Sequence, residues 1–159
     1  MVQAWFIDPY SYGDPRLPHH IFPPKRLTPE QLQKQSEALV WKLNHRDPIA
    51  LSTRIATIKY ERFFVREDII EIGEQITLNF HDKLAELYNE TYLKEEIGKL
   101  VLDGEAYFDV KGHNDEWIRI LAEPGDLICI PMEVATRFTT TPTNYVKIKR
   151  FFKKENDEP

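Results

Sequence analysis

Residues 99–152 read KLVLDGEAYFDVKGHNDEWIRILAEPGDLICIPMEVATRFTTTPTNYVKIKRFF. Six short runs rich in Val, Ile, Tyr, Phe and Thr stand out, at 99–102, 107–110, 117–121, 127–130, 136–141 and 145–152. Between them lie turn-forming pieces: Asp103-Gly104, Gly112-His113-Asn114-Asp115, Pro124-Gly125 and Pro142-Thr143-Asn144. Short strands at roughly 8–12-residue spacing with Gly, Pro and Asn between them predict an antiparallel sandwich or barrel.

Upstream the texture differs. The first 27 residues hold Pro9, Pro15, Pro18, Pro23, Pro24 and Gly13, and read as an extended lead strand followed by loop. Thr28-Pro29-Glu30-Gln31 has the form of a helix start, with a capping Thr, Pro at the first helical position and Gln closing the capping box. Leu32, Leu39, Val40 and Leu43 follow at helical spacing, so an amphipathic helix is expected over 29–44, with Pro48 ending any continuation. A short helix is expected over 66–72, and another over 78–88 with Asn79 as its cap. Helices first and strands second make an α+β arrangement in one domain, 1–159, whose charged tail, 153–159, is expected to fray.

Composition narrows the function classes. The chain has 159 residues, of which 42% are hydrophobic and 30% charged, which excludes wholesale disorder. A net charge of −5 argues against a general nucleic-acid binder, which would show a basic face. No run approaches the ~18 apolar residues of a membrane span. The first nine residues lack the basic region of a secretory signal. With a single thiol, Cys129, the expectation is a reducing compartment: cytoplasm, with diffusion into a nucleus open to so small a chain. One cysteine also rules out an intrachain disulfide or a four-cysteine zinc site, leaving five histidines (His19, His20, His45, His81, His113) as the imidazoles available to a metal.

Two glycine-anchored segments carry a resemblance. Gly125, five residues, then Pro131 is the frame of the second cupin motif, and Gly104 matches the Gly that ends the first. More specifically the chain resembles the acireductone dioxygenases of methionine salvage. The matching pieces are Met1-Val2-Gln3-Ala4-Trp5, Gly13-Asp14-Pro15-Arg16, Trp41-Lys42-Leu43, Asp68-Ile69-Ile70, Leu102-Asp103-Gly104 with Tyr107-Phe108-Asp109-Val110, Trp117-Ile118-Arg119, Gly125-Asp126-Leu127 and Arg137-Phe138, in the family's order along nearly the whole chain. The resemblance implies N-terminal helices packed on an antiparallel cupin-type β-barrel, a jelly-roll-like double-stranded β-helix. It also implies Fe(II) or Ni(II) held by three His and one Glu, and oxidative cleavage of an acireductone by O2 to a keto acid precursor of methionine and formate.

The family's ligand positions do not carry ligands here. Counting back from Gly104 and forward from Gly125, they fall on Thr91, Leu93, Ile97 and Thr136. Two hydroxyls and two aliphatic groups cannot replace an imidazole and carboxylate set. A slipped register on Glu96 would place Glu90 and Tyr92 at the histidine positions and still supply no imidazole, since no histidine lies between His81 and His113. The family's substrate-binding Arg becomes Lys99, or Gly98 in the slipped register; Lys keeps the charge and loses the fork. The family pattern also runs on for about twenty further residues after Arg150-Phe151-Phe152, whereas this sequence stops at Pro159. Unliganded His and Glu inside a barrel would be buried polar groups in need of partners, and the four substitutions remove that cost. The resemblance therefore implies an inactive homologue without a cofactor or catalytic residue, serving as a binding protein, as a monomer or paired with an active paralogue. The alternative is an active dioxygenase with another ligand set, such as Glu95 or Glu96 with His113.

The remaining polar features read as ordinary surface. His19-His20 on extended chain point to opposite sides; His81 sits on a solvated helix face near Asp82 and Glu86; His113 lies in a turn; His45 follows a helix end. Glu95-Glu96 are expected to be solvated, and Lys147 and Lys149 to face outward opposite Val146 and Ile148, so the basic cluster they form with Arg150, Lys153 and Lys154 needs no phosphate partner. Cys129 is expected to pack or sit on the surface rather than act as a nucleophile.

Overall fold

The computed structural model describes residues 1–10 and 12–154. Along the chain these form β1 (Gln3–Phe6), β2 (Arg26–Leu27), α1 (Pro29–Ser36), β3 (Leu39–Lys42), α2 (Pro48–Arg62), β4 (Arg66–Gly73), α3 (Phe80–Leu87), β5 (Thr91–Tyr92), β6 (Ile97–Gly104), β7 (Ala106–Lys111), β8 (Trp117–Ala122), β9 (Asp126–Ile130), β10 (Ala135–Thr140) and β11 (Tyr145–Phe152). The six strands expected from 99 to 152 are all present, each within two residues of its expected ends. The frayed tail expected over 153–159 lies outside the described residues from 155 onward.

The strands make two sheets. One has six strands in the order β2-β1-β8-β7-β10-β5, the other five in the order β3-β9-β6-β11-β4, and every pairing is antiparallel. Their hydrogen-bond ladders do not join, so the expected barrel is a cupin-like sandwich of two facing sheets. Alternation along each strand builds the layer between them. Val101, Phe108, Val110, Ile118, Ile120, Ile128, Phe138, Val146 and Ile148 all face inward and are buried. The opposite face of the five-stranded sheet is covered by α2, where Ile58 packs with Phe64, Leu100, Leu127, Cys129 and Phe151. Cys129 is thus a packing residue, and burial pushes its thiol up to about 12.

The N-terminal half departs from expectation in several places. The capping box at Thr28 and Gln31 forms, but α1 ends at Ser36 because Glu37 takes a left-handed conformation (φ 67°). Leu39–Lys42, expected as the end of that helix, is a strand hydrogen-bonded to β9. Pro48 begins a helix rather than ending one: it occupies the first turn of α2, where the Asp47 side chain accepts from the Ala50 N–H at 3.1 Å. Residues 66–72, expected as a helix, belong to β4, which pairs along its length with β11. His45 therefore follows a strand and not a helix. Helices and strands interleave before residue 99, so the order of helices first and strands second does not hold. The helix near 78–88 is α3, although Asn79 is left-handed and makes no side-chain cap.

Candidate functional site

The four positions that the resemblance assigns to ligands lie on β5, between β5 and β6, and near the starts of β6 and β10. β5 pairs with β10 so that Thr91 stands directly opposite Thr136, and the Glu133 N–H donates to the Leu93 carbonyl at 2.9 Å. Leu93 packs against the core between the sheets. Ile97 opens β6 and shares its inward parity with Lys99 and Val101. Thr136 is buried, and its hydroxyl donates to the Asp109 carbonyl at 2.8 Å. Thr91 is exposed.

Lys99 is the one cation on this inner face among the positions singled out. Its ammonium lies 5.3 Å from the centre of the Phe108 ring and 5.9 Å from that of Phe138. No carboxylate among the described residues forms an ion pair with it. Burial, with a smaller push from Arg150, lowers its pKa to about 8. Ring faces compensate an ammonium only in part, by about 0.5–2 kcal/mol. These residues do not fit a divalent metal. Two positions lack any donor atom, the buried hydroxyl has its proton engaged with backbone, and a cation with no counter-ion stands on the same face. Among the described residues no group of three His, Cys, Asp or Glu side chains comes together.

The other named residues go elsewhere. Glu96, expected to be solvated, is buried; its carboxylate accepts from Arg62 at 2.6 and 3.2 Å and pairs with Lys153 at 3.1 Å. Two cations thus occupy Glu96, one of the two carboxylates named for an alternative ligand set. Glu95 pairs with Lys154, and Lys149 with Glu67, so much of the C-terminal basic cluster is neutralised by neighbours. His20 is half-buried and stacks on Trp5 at 4.4 Å, while Nε2 of His19 lies 2.7 Å from the Asp14 carbonyl.

A second polar centre, absent from the sequence-based site assignment, lies on the outer face of the six-stranded sheet. Asp109 is buried there and holds two guanidinium groups. Arg119 donates through Nε and Nη2 at 2.9 Å each, and Arg137 through Nε at 2.8 Å. Arg119 is fully buried and also donates to the carbonyls of Pro15 and Leu17, pinning the N-terminal loop over the sheet. Its Nη2 donates to the Tyr88 hydroxyl at 3.1 Å. Arg137 lies over the rings of Trp117 (4.1 Å) and Tyr88 (4.4 Å). The available signal was parity: Asp109, Trp117, Arg119 and Arg137 all face away from the apolar side of their strands.

Comparison with known proteins agrees with this architecture. The family model of the ARD/ARD' family matches residues 3–158. "Probable inactive acireductone dioxygenase 2" of Caenorhabditis elegans is 48% identical over 99% of this chain and 100% of its own length. "Probable inactive acireductone dioxygenase 1" of the same species is 40% identical over 97% and 96%. "Acireductone dioxygenase" of Homo sapiens is 39% identical, covering 96% of this chain and 83% of its own. A solved structure, "Acireductone dioxygenase from Bacillus anthracis with cadmium ion in active center", superposes with a TM-score of 0.78 over 98% of this chain and 94% of that one, at 19% identity. An antiparallel sandwich with these anchors, matched by the family model along nearly its whole length, makes the chain a member of the acireductone dioxygenase family.

Proposed function

We propose that this protein is a metal-free member of its family that does not catalyse acireductone cleavage and acts by binding. The observation that carries the reading is the content of the inner face. Thr91, Leu93, Ile97 and Thr136 fall where the resemblance puts the ligands, the Thr136 hydroxyl is bonded to backbone, and the Lys99 ammonium lies against the Phe108 and Phe138 rings, a charge that opposes a metal cation. Activation of O2 and an enediolate on a metal requires direct coordination to both, so loss of all the donors removes the reaction rather than slowing it. The names of the two Caenorhabditis elegans relatives support the same reading.

What remains is a single-domain scaffold for a small molecule or a protein partner such as an active paralogue, with Lys99 as the inner-face contact for an anionic ligand. The deciding experiment measures metal content after purification, then oxygen uptake with acireductone and added Fe(II). The expected result is substoichiometric metal and no uptake above the enzyme-free rate, beside an active control from the family. Stoichiometric metal together with turnover would overturn the proposal.

A further inference from the structure

The outer face of the six-stranded sheet carries a cleft of about 410 Å³, within the size range of small-molecule sites. It lies on the opposite side of that sheet from Thr136 and Phe138, because Trp117 and Arg137 alternate with inward residues on β8 and β10. Arg137 forms one wall. Its Nε is fixed by Asp109 and its plane by Trp117 and Tyr88. Its Nη groups make no hydrogen bond with the described residues, so the outer edge of a positioned guanidinium is left to solvent. A fork held this way suits a carboxylate, because little freedom remains to be lost on binding.

The same cleft is lined by Asp8, Asp115 and Glu116. Asp115 is engaged by Lys111 at 3.3 Å, whereas Asp8 and Glu116 form no ion pair with a described residue, and neither reaches Arg137. A positive and a negative pole thus line one cavity without pairing, and Ile7, Tyr88 and Trp117 line it as well, the two rings beneath the Arg137 guanidinium. Polyanions are disfavoured by the acidic side, and simple cations by Arg137.

We propose that this cleft binds a small zwitterion of amino-acid or dipeptide size, its carboxylate on Arg137, its ammonium toward Asp8 and Glu116, and an apolar side chain against Trp117. The site lies on the other side of the sheet from the inner face, so its test does not require knowing whether the protein holds metal.

The test is titration of the full chain with L-phenylalanine, phenylalaninamide and N-acetylphenylalanine, followed by amide and side-chain N–H NMR. L-Phenylalanine is expected to saturate and to shift the Trp117 indole and Arg137 Nε signals. Removing either ligand charge should weaken binding by about tenfold or more. Arg137→Lys keeps the charge beside Asp109 and loses the fork. It should weaken binding by a similar factor of about ten while the spectrum stays that of a folded chain. Glu116→Gln, at an exposed position, should weaken the zwitterion and leave the N-acetyl compound unchanged. No saturable shift up to about 20 mM, equal binding of the amide, or shifts confined to Phe108 and Phe138 would each overturn the proposal.

Discussion

Asp109 serves two faces at once: its carbonyl takes the Thr136 hydroxyl on the inner side and its carboxylate takes Arg119 and Arg137 on the outer. Asp109→Asn leaves two guanidinium groups without their counter-ion, one of them fully buried, and should cost about 3–5 kcal/mol in urea unfolding. Lys99 behaves in the opposite sense. Its pKa is about 8 in the folded chain against 10.5 when exposed. The folded state therefore binds fewer protons between those values, and wild-type stability rises with pH across that window. Below about pH 8 the cost of holding the ammonium is fully present. Lys99→Met should stabilise the protein there by up to about 3 kcal/mol, and the gain should fade as pH approaches 10.5. Denaturant curves at pH 7 and above pH 10 separate this outcome from a simple packing effect, which would not depend on pH.

At the scale of elements, α1 ends at a residue badly suited to its conformation. Glu37 is left-handed at φ 67°, a strain that Gly avoids. Glu37→Gly should raise thermal stability by about 1 kcal/mol, a few degrees in Tm. The same residue explains the main misreading of the sequence. Leu32, Leu39, Val40 and Leu43 fit a helical period, but the Glu37 turn resets the chain and Leu39–Lys42 gains more by pairing with β9. Pro48, read as a stop, instead occupies a first helical turn, because the Asp47 side chain caps the helix it opens. Arg66–Gly73 lost its strand signal because Ile69 and Ile70 are adjacent; Ile69 stays 52% exposed beside the ladder. From residue 97 onward, turn residues at fixed intervals left little to misread. The count that puts the family's ligands at Thr91, Leu93, Ile97 and Thr136 leans on the same regularity, since it is anchored on Gly104 and Gly125. Gly104 is left-handed at φ 72°, and a Cβ there would lie 2.3 Å from the Tyr145 carbonyl oxygen. The Asp109 centre was not legible, because its members are distant in sequence and meet only once β7, β8 and β10 are side by side.

For the molecule as a whole, the question is whether the scaffold still fits the chemistry its relatives perform. Combining Thr91→His, Leu93→His, Ile97→Glu and Thr136→His rebuilds the family's donor set on strands whose pairing places Thr91 against Thr136. The folded quadruple variant should bind Ni(II) stoichiometrically by elemental analysis. Replacing Lys99 by Met as well should tighten that binding by removing a competing charge. A folded variant without metal would show that the positions counted from Gly104 and Gly125 are misassigned.

The two-sided character of the six-stranded sheet has a consequence for how such proteins diverge. Side chains of consecutive residues leave the backbone in opposite directions, so one surface can be rewritten by point changes while the other keeps its lineage. Thr136 and Arg137 are neighbours in sequence, yet one is buried on the inner side and the other joins the Asp109 cluster on the outer side. Overall percentage similarity averages over both surfaces. It is therefore a record of shared ancestry and a poor record of which surface remains in use.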